Sequence, residues 1–567
     1  TFATAILGLT MECCRCHDHK YDPLTQKEYY QLTAFFDNIA ESGLYSYFTP
    51  SVPTPTLIRA DAATKFKLEK LNQEIIAAEK VLTSLESSRA SAFNAWLKSK
   101  PILSTPIPGQ IAHLDFEGAQ SGSNQSVEGR LGKAVQLSGD DGIGLKVGNF
   151  RRFEPFSISL WMNTPDRKDR AVVFHRSRAW TDAGSRGYEL LLQDGKLSAA
   201  LIHFDPGNSI RVRGKAPLPA NSWHHITVTY DGSSRAGGLK LYLDGAPLDS
   251  EIIRDKLTKN IEGGGDPDLR LGERFRDVGF KQGKVDELHV FTRELTAIEV
   301  AQLSDHESLE ALLSTPAKSL NPKALAQLRD YFLATAHQPY ADALATLKAA
   351  RQAKRGLIEP IKEIMVMREM KKPRQCYVLT RGMYSTRGEA VPFDTPAVLP
   401  PFPVDQPRNR LGLAKWLTSP DHPLTARVTA NRYWQMFFGN GLVRTPEDFG
   451  SQGRPPSHPE LLDWLARDFV ESGWDLQHFV KQIVLSATYR QSTLTDKKSR
   501  ELDPKNIYLA RGTTERLSAE MIRDNALALS GLLVKKTGGN SVKPDAARTE
   551  ERRVGTGGRS GGPPDPS

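Results

Sequence analysis

The chain has 567 residues, with 75 Lys or Arg against 66 Asp or Glu, a net charge of +9. At about 150 residues per domain, that length predicts three or four domains. The positive excess is diffuse, and its densest stretches, 351–355 and 548–559, lack interleaved aromatics, which argues against a nucleic-acid surface. No run of about 18 apolar residues occurs, so no membrane-spanning helix is expected.

The chain opens on Thr1 in a helical pattern rather than on Met, and reads as a fragment whose upstream region would hold any leader. Phe2, Ile6 and Leu9 recur at helical spacing, which predicts the end of a helix delivering Cys13. Three of the four cysteines and two histidines then fall between Cys13 and His19. Cys13-x-x-Cys16-His17 has the spacing of a c-type haem attachment site. In that chemistry two thiols add to the haem vinyl groups and the adjacent imidazole becomes the proximal iron ligand. Two other readings stay open on these residues: a zinc site drawing on Cys13, Cys16, His17 and His19, and a Cys13–Cys16 disulfide or plain packing. His19 lies too close in sequence to reach the opposite haem face, so a distal ligand is unassigned.

Thr25-Gln26-Lys27-Glu28 reads as a capping box opening a helix through Leu32, Phe35, Phe36 and Ile39, followed by an exit loop over 42–60. From Asp61 to Lys98, Leu68, Leu71, Ile75, Ala78, Leu82, Leu85, Ala92 and Trp96 alternate spacings of three and four, a coiled-coil seam. Unbroken, that arm would be about 57 Å long. Its expected partner is the stretch holding Leu344, Leu347, Leu357 and Ile361, which makes everything between an insertion on an antiparallel helical hairpin.

Between Ile111 and Leu303 the pattern changes to short alternating segments separated by turns, with Asp194-Gly195 and Asp244-Gly245 as hairpin signals. Many short strands at regular spacing predict a two-sheet sandwich. The segments His113-Leu114-Asp115-Phe116, Gly132-Lys133-Ala134-Val135, Ser157-Ile158-Ser159-Leu160-Trp161, Trp223-His224-His225, Tyr242-Leu243-Asp244-Gly245 and Gly283-Lys284-Val285-Asp286-Glu287-Leu288 resemble the LamG-like (concanavalin A-like) jelly-roll family. The resemblance implies glycan or protein binding, often with calcium at one edge. Asp115 and Asp286 are the positions carried over as calcium-associated, against the alternative that they cap turns where the terminal strands meet. Glycosidase chemistry needs two facing carboxylates. No acidic cluster on one strand supplies them, so binding is favoured over hydrolysis.

Helical patterning resumes at Thr296, with Asn321-Pro322 as an N-cap and first-turn proline. A proline-rich connector over 381–407 is expected to be extended and surface-lying. Beyond it, Ser457-His458-Pro459-Glu460 reads as a capping box, and Asp475 and Ser518 as further caps. Asn409-Arg410-Leu411-Gly412-Leu413-Ala414-Lys415-Trp416, Asn431-Arg432-Tyr433-Trp434, Gly441-Leu442-Val443-Arg444-Thr445-Pro446-Glu447-Asp448-Phe449-Gly450 and Ser486-Ala487-Thr488-Tyr489-Arg490 resemble the C-terminal domain of unknown function of planctomycete cytochrome-c-associated proteins. Cys13-Cys14-Arg15-Cys16-His17-Asp18-His19-Lys20-Tyr21-Asp22-Pro23 resembles the end of that family's upstream domain. The family pattern is read as stopping after Pro544, with an Arg/Gly/Pro/Ser-rich remainder read as disordered or aberrant.

The expected architecture is multidomain α plus β: a mostly helical scaffold with an inserted LamG-like jelly-roll sandwich on a long antiparallel helical hairpin. The expected divisions are an upstream helical end over 1–60, a long helix over 61–107 and the sandwich over 108–305. A helical return arm over 306–380, the connector over 381–407, a C-terminal helical domain over 408–540 and the tail 541–567 follow. The functional expectation is an exported periplasmic or extracellular protein, joining a c-haem motif at Cys13, Cys16 and His17 to a module that binds glycan or a cell-surface protein. Haem c and calcium are the expected cofactors. The alternatives are a polysaccharide hydrolase with Asp448 and His458 as candidate catalytic residues, and a structural surface-assembly protein.

Overall fold

The structure is a computed structural model describing residues 1–40, 52–87, 90–99, 101–103, 106–180, 185–262, 268–514, 516–535 and 538. The tail expected over 541–567 lies outside the described residues. The chain divides into two compact units, Asn38–Arg374 and Thr1–Asp37 with Gln375–Ser567.

The first unit holds an antiparallel β-sandwich. One sheet has Phe156–Asn163 flanked by Trp223–Tyr230 and Lys284–Phe291, with Gln110–Leu114 also paired to Lys284–Phe291. The other runs from Ser250–Asp255 through Asn208–Gly214, Lys196–Phe204, Gly187–Gln193 and Arg170–Arg176 to Leu269–Leu271 and Ile143–Leu145. Side chains alternate across a strand. Phe156, Ile158, Leu160 and Met162 therefore enter the core between the sheets, with Leu190, Leu192, Ala199, Leu201, Ile226 and Val228. Both predicted D-G hairpins form as two-residue loops. Asp194 and Gly195 (φ 53° and 75°) join Gln193 to Lys196, and Asp244 and Gly245 (φ 49° and 77°) join Leu243 to Ala246. Helix Ala297–Asp305, opened by the Thr296–Glu299 capping box, covers part of the sandwich's outer side through Val300 and Leu303 against Tyr242 and Phe291.

Two helical arms complete this unit. Helix Ala62–Ser87 packs Ile75, Ala78 and Leu82 against Tyr340, Ala343, Leu347 and Ala350 of helix Gln338–Ile358. Tyr340 reaches Glu86 while Arg351 reaches Glu79, so the arms are antiparallel, as expected. The seam differs from the predicted one. With 3.6 residues per turn, positions 340, 343, 347 and 350 share a face, whereas Leu344 sits beside it and is exposed. Helix Ala90–Lys98 packs Phe93 and Trp96 at a tilt against Phe332 of helix Pro322–Thr335, with ring centroids 5.8 and 5.3 Å apart, instead of extending the seam. Buried Lys259 fastens the sandwich to the end of Gln338–Ile358. Its Nζ donates to the carbonyls of Ile358, Glu359 and Ile361 at 3.0, 3.1 and 2.7 Å. A cation there satisfies carbonyls that a helix C-terminus leaves unpaired.

In the second unit the opening segment and the C-terminal part share one core. Leu7, Met11, Cys14, Leu24 and Phe35 pack with Leu399, Phe402, Leu413 and Trp416. The connector is thus anchored rather than surface-lying: Leu399 and Phe402 are buried, and Arg387–Val391 pairs with Cys376–Leu379 as a hairpin. The expected capping box is present at Gln26–Asp37, where Glu28 accepts the Thr25 N–H at 2.7 Å and Thr25 Oγ1 accepts the Glu28 N–H at 3.2 Å. Asp475 and Ser518 cap Leu476–Leu485 and Ala519–Leu529 as expected. The cap predicted at Ser457 shifts by one residue. Pro459–Glu471 starts at a first-turn proline behind His458, which makes no side-chain capping bond.

Candidate functional site

The opening cluster is held by two short turns rather than the end of an α-helix. A π-helical turn, Ala3–Leu7, stops at Gly8 (φ 62°), where a Cβ would come within 2.7 Å of the Phe449 ring. The 3-10 turn Met11–Arg15 then carries Cys13 and Cys14. Cys14 is core: it is fully buried, its Sγ faces the Leu24 carbonyl at 3.6 Å, and burial pushes its thiol up to about 11. Cys13 and Cys16 are exposed free thiols. Exposed His17 places Nδ1 2.7 Å from the Asp18 carbonyl oxygen. A carbonyl only accepts, so Nδ1 carries the proton and Nε2 keeps its lone pair outward, the tautomer a metal ligand needs. These donors fit a c-type haem in access and tautomer.

His19 is committed elsewhere. Its Nδ1 accepts the backbone N–H of Asp22 at 2.9 Å and its Nε2 meets Thr10 Oγ1 at 3.2 Å. Among the described residues, no three of Cys13, Cys16, His17 and His19 gather ligand atoms within 4.8 Å of one another. Asp22, in the same turn, accepts the Ser451 N–H and hydroxyl at 2.8 and 2.7 Å. Its carboxyl is held low because those two bonds and His19 outweigh the desolvation that raises it. A Cβ on Gly450 would meet this carboxylate at 2.4 Å. The Asp22 and Phe449-Gly450-Ser451 motifs are therefore two halves of one joint.

The polar residues of the C-terminal part have local structural work. Asn431, fully buried, exchanges two hydrogen bonds with the Val443 backbone at 2.9 and 2.8 Å. Arg432 donates to the carbonyls of Thr4 and Pro446. Asp448 Oδ1 accepts the Gly450 N–H, and His458 Nδ1 meets the neighbouring Ser457 hydroxyl at 3.0 Å. A hollow of about 540 Å³ in this unit is lined by Trp434, Phe438, Arg444, Ser457, Asn506 and Arg511, and by neither Asp448 nor His458.

In the sandwich, Asp115 is exposed and its Oδ1 accepts the Glu117 N–H at 3.3 Å. Asp286 is fully buried, with Oδ2 accepting the N–H groups of Arg130 and Leu131 at 2.8 and 3.0 Å and Oδ1 that of Glu287 at 2.9 Å. Both carboxylates serve as turn clamps, and among the described residues neither belongs to a cluster of three ligating side chains. Such a cluster does form next to them, from His113, Glu287 and His289. In the sequence His113 and Glu287 stand in segments that mark the fold, and the two-residue spacing of His289 from Glu287 is the one local signal of the cluster.

The outer side of the other sheet carries a buried ion-pair chain that the sequence did not reveal. Glu189 lies between Arg211 (2.6 Å) and Arg274 (2.5 Å), Arg274 also meets Asp277 (2.5 Å), and Arg170 closes on Asp277 at 2.6 Å. Burial alone would raise the Glu189 carboxyl, but the two guanidinium charges outweigh it and lower it to about 2. Glu189 is thus a fixed anion rather than a proton donor.

A cleft of about 850 Å³ opens where the sandwich meets the arms, within the range of roughly 300–1,000 Å³ common for small-ligand sites. Tyr242 and Tyr340 line it with Leu344, and so do Asp231, Arg235, Lys240, Glu294, Arg351 and Glu79. Lys240 and Glu294 pair at 2.8 Å, and Arg351 donates to the Asp231 carbonyl at 2.8 Å. Burial pushes the Glu294 carboxyl up in spite of Lys240.

These features define a helical scaffold carrying a concanavalin A-like β-sandwich. Residues 137–301 match the family described as the concanavalin A-like lectin/glucanases superfamily. Residues 1–41 and 409–560 match two protein families of unknown function, DUF1549 and DUF1553. The second match runs to residue 560, past Pro544, where the resemblance was expected to stop. No curated protein matches the chain. Among solved structures, the binding domain of Paraclostridial Mosquitocidal Protein 1 is 20% identical with a TM-score of 0.27, the match covering 32% of this chain and 45% of that one. The botulinum neurotoxin serotype G binding domain is 17% identical, TM-score 0.25, covering 34% and 50%. Domain 4 of AbnA, an extracellular arabinanase from Geobacillus stearothermophilus, in complex with arabinotriose, is 19% identical, TM-score 0.22, covering 34% and 87%. The chain thus spans about half the length of the first two.

Proposed function

We propose that the protein binds carbohydrate in the cleft between its concanavalin A-like sandwich and its helical arms, as part of an exported protein. The observation that carries this reading is the composition of that cleft. Half-buried Tyr340 and exposed Leu344 give it an apolar side for a sugar ring, while carboxylates and guanidinium groups around them can exchange hydrogen bonds with hydroxyls. Its basic lining (Arg235, Lys240, Arg293, Arg351) is nearly balanced by its acidic lining (Glu79, Glu86, Asp231, Glu294, Asp330), which favours a neutral oligosaccharide over a charged one. A glycan array probed with the full chain is expected to return neutral oligosaccharides. Arg235→Ala and Glu294→Gln are each expected to weaken the best ligand about tenfold, since a hydrogen bond to a charged group is worth roughly 1.5–3 kcal/mol. Unchanged titration calorimetry for both variants would contradict the assignment of the cleft.

A second reading rests on a separate observation, the exposed Cys13 and Cys16 thiols beside a His17 whose Nε2 is left free. Cys13 and Cys16 would hold a c-type haem and His17 would ligate it, and the bound group would supply one-electron redox chemistry. Expression with haem-maturation machinery is expected to give a Soret band that Cys16→Ser abolishes. A colourless parent chain would rule the reading out.

A further inference from the structure

We propose that His113, Glu287 and His289 form a binding site for a first-row divalent transition-metal ion of the zinc class, which staples the sandwich's first strand to its last. His113 on Gln110–Leu114 and His289 on Lys284–Phe291 are direct partners across the antiparallel ladder. Their imidazoles therefore leave the sheet on the same side, and they lie face to face with centroids 4.1 Å apart and planes 8° from parallel.

Glu287 joins them through a backbone irregularity. The register against Phe156–Asn163 shifts between Asp286 and His289, and Glu287 has φ 46°, a left-handed conformation uncommon outside glycine. The bulge adds a residue to the strand and brings the Glu287 carboxylate to the two rings. Oε2 lies 2.7 Å from His113 Nε2 and 3.5 Å from His289 Nε2. A tetrahedral ion about 2.05 Å from each of its ligands holds them about 3.4 Å apart, and the two measured separations bracket that value.

The chemistry of the donors selects the ion. Two imidazole nitrogens and one carboxylate oxygen suit zinc and its neighbours, whereas calcium and magnesium take oxygen ligands. Access is one-sided: the Glu287 and His289 side chains are 15% and 14% exposed and His113 is 38% exposed. A water or an incoming group would complete the coordination from the His113 side. Without the ion, Glu287 Oε2 accepts a hydrogen bond from His113 and lies at ion-pair distance from His289. With it, the same three atoms become the ligands, and each neutral ring carries its one proton on Nδ1 instead, exchanged through solvent with none released.

The test uses the full chain carrying Cys13→Ser and Cys16→Ser, so that the opening cysteines contribute nothing, stripped with chelator and titrated with zinc chloride. One saturable equivalent is expected, together with a rise in the melting temperature of the sandwich unit. His113→Gln and Glu287→Gln are each expected to weaken zinc binding at least about tenfold and to remove the zinc-dependent rise in melting temperature. His113 is exposed and Gln keeps the size of Glu287, so both variants retain the fold. Absence of saturable zinc binding in the parent, or parent-like binding by both variants, would overturn the proposal.

Discussion

Replacing Glu189 with Ala is expected to destabilise the sandwich unit by about 3–5 kcal/mol, because it leaves two buried guanidinium groups without their shared anion. Glu189 is 1% exposed, and its two oxygens are divided between Arg211 and Arg274, themselves 10% and 0% exposed. Removing the carboxylate opens no route for water to replace it. The same pairing fixes a pH dependence. The folded carboxyl, near 2, lies below an unfolded value of about 4.3. Its contribution is therefore complete above about pH 4.3 and is lost as the pH falls towards 2. Asp277, held low because Arg170 and Arg274 outweigh its burial, adds to the trend in the same direction. Scanning calorimetry between pH 2 and 5 should show the melting temperature of the sandwich unit climbing with pH in the parent and climbing less steeply in Glu189→Ala. A variant as stable as the parent at pH 7 would show that the ion-pair chain does not hold this face.

Phe35→Ala is expected to cost about 3–5 kcal/mol, the usual penalty for emptying a buried aromatic site, and to do so far along the chain. Phe35 is 1% exposed, and its ring lies 5.7 Å from Phe402 and 5.4 Å from Phe393. Trp416 and Leu413 belong to the same core. The residues that lose support are therefore those of Arg410–Leu417 and the segment before it, not only Gln26–Asp37. Limited proteolysis of the full chain should open new cleavage between residues 393 and 417 in the variant. Cleavage confined to residues 1–40 would mean that the opening segment folds apart from the C-terminal part.

Local signals carried much of this fold. The alternation of Phe156–Asn163, the D-G turns at 194–195 and 244–245, and the caps at Thr25, Thr296, Asn321, Asp475 and Ser518 each depend on a few neighbouring residues, and each appears where it was expected. What the sequence concealed depends on long-range register. His113 and His289 meet only because their strands pair in one alignment, and Glu287 joins them only through a bulge that no composition signal announces. Glu189, Arg211, Arg274 and Asp277 lie on two strands and a loop, so they read as ordinary surface charges until the sheet assembles them. The three clustered cysteines look alike in sequence, yet the turn at Met11–Arg15 buries Cys14 and exposes its neighbours. Asp22 and Ser451 are 429 positions apart, and the link between the two motifs is visible only in the fold.

The cleft beside the sandwich is proposed to hold a sugar chain. Hydrogen–deuterium exchange of the full chain, with and without the best oligosaccharide from the array, tests it most directly. Slower exchange on binding is predicted in 233–243 and 340–351, the two segments that face each other across the cleft. Protection absent from both segments, or confined to residues 409–535, would contradict the account.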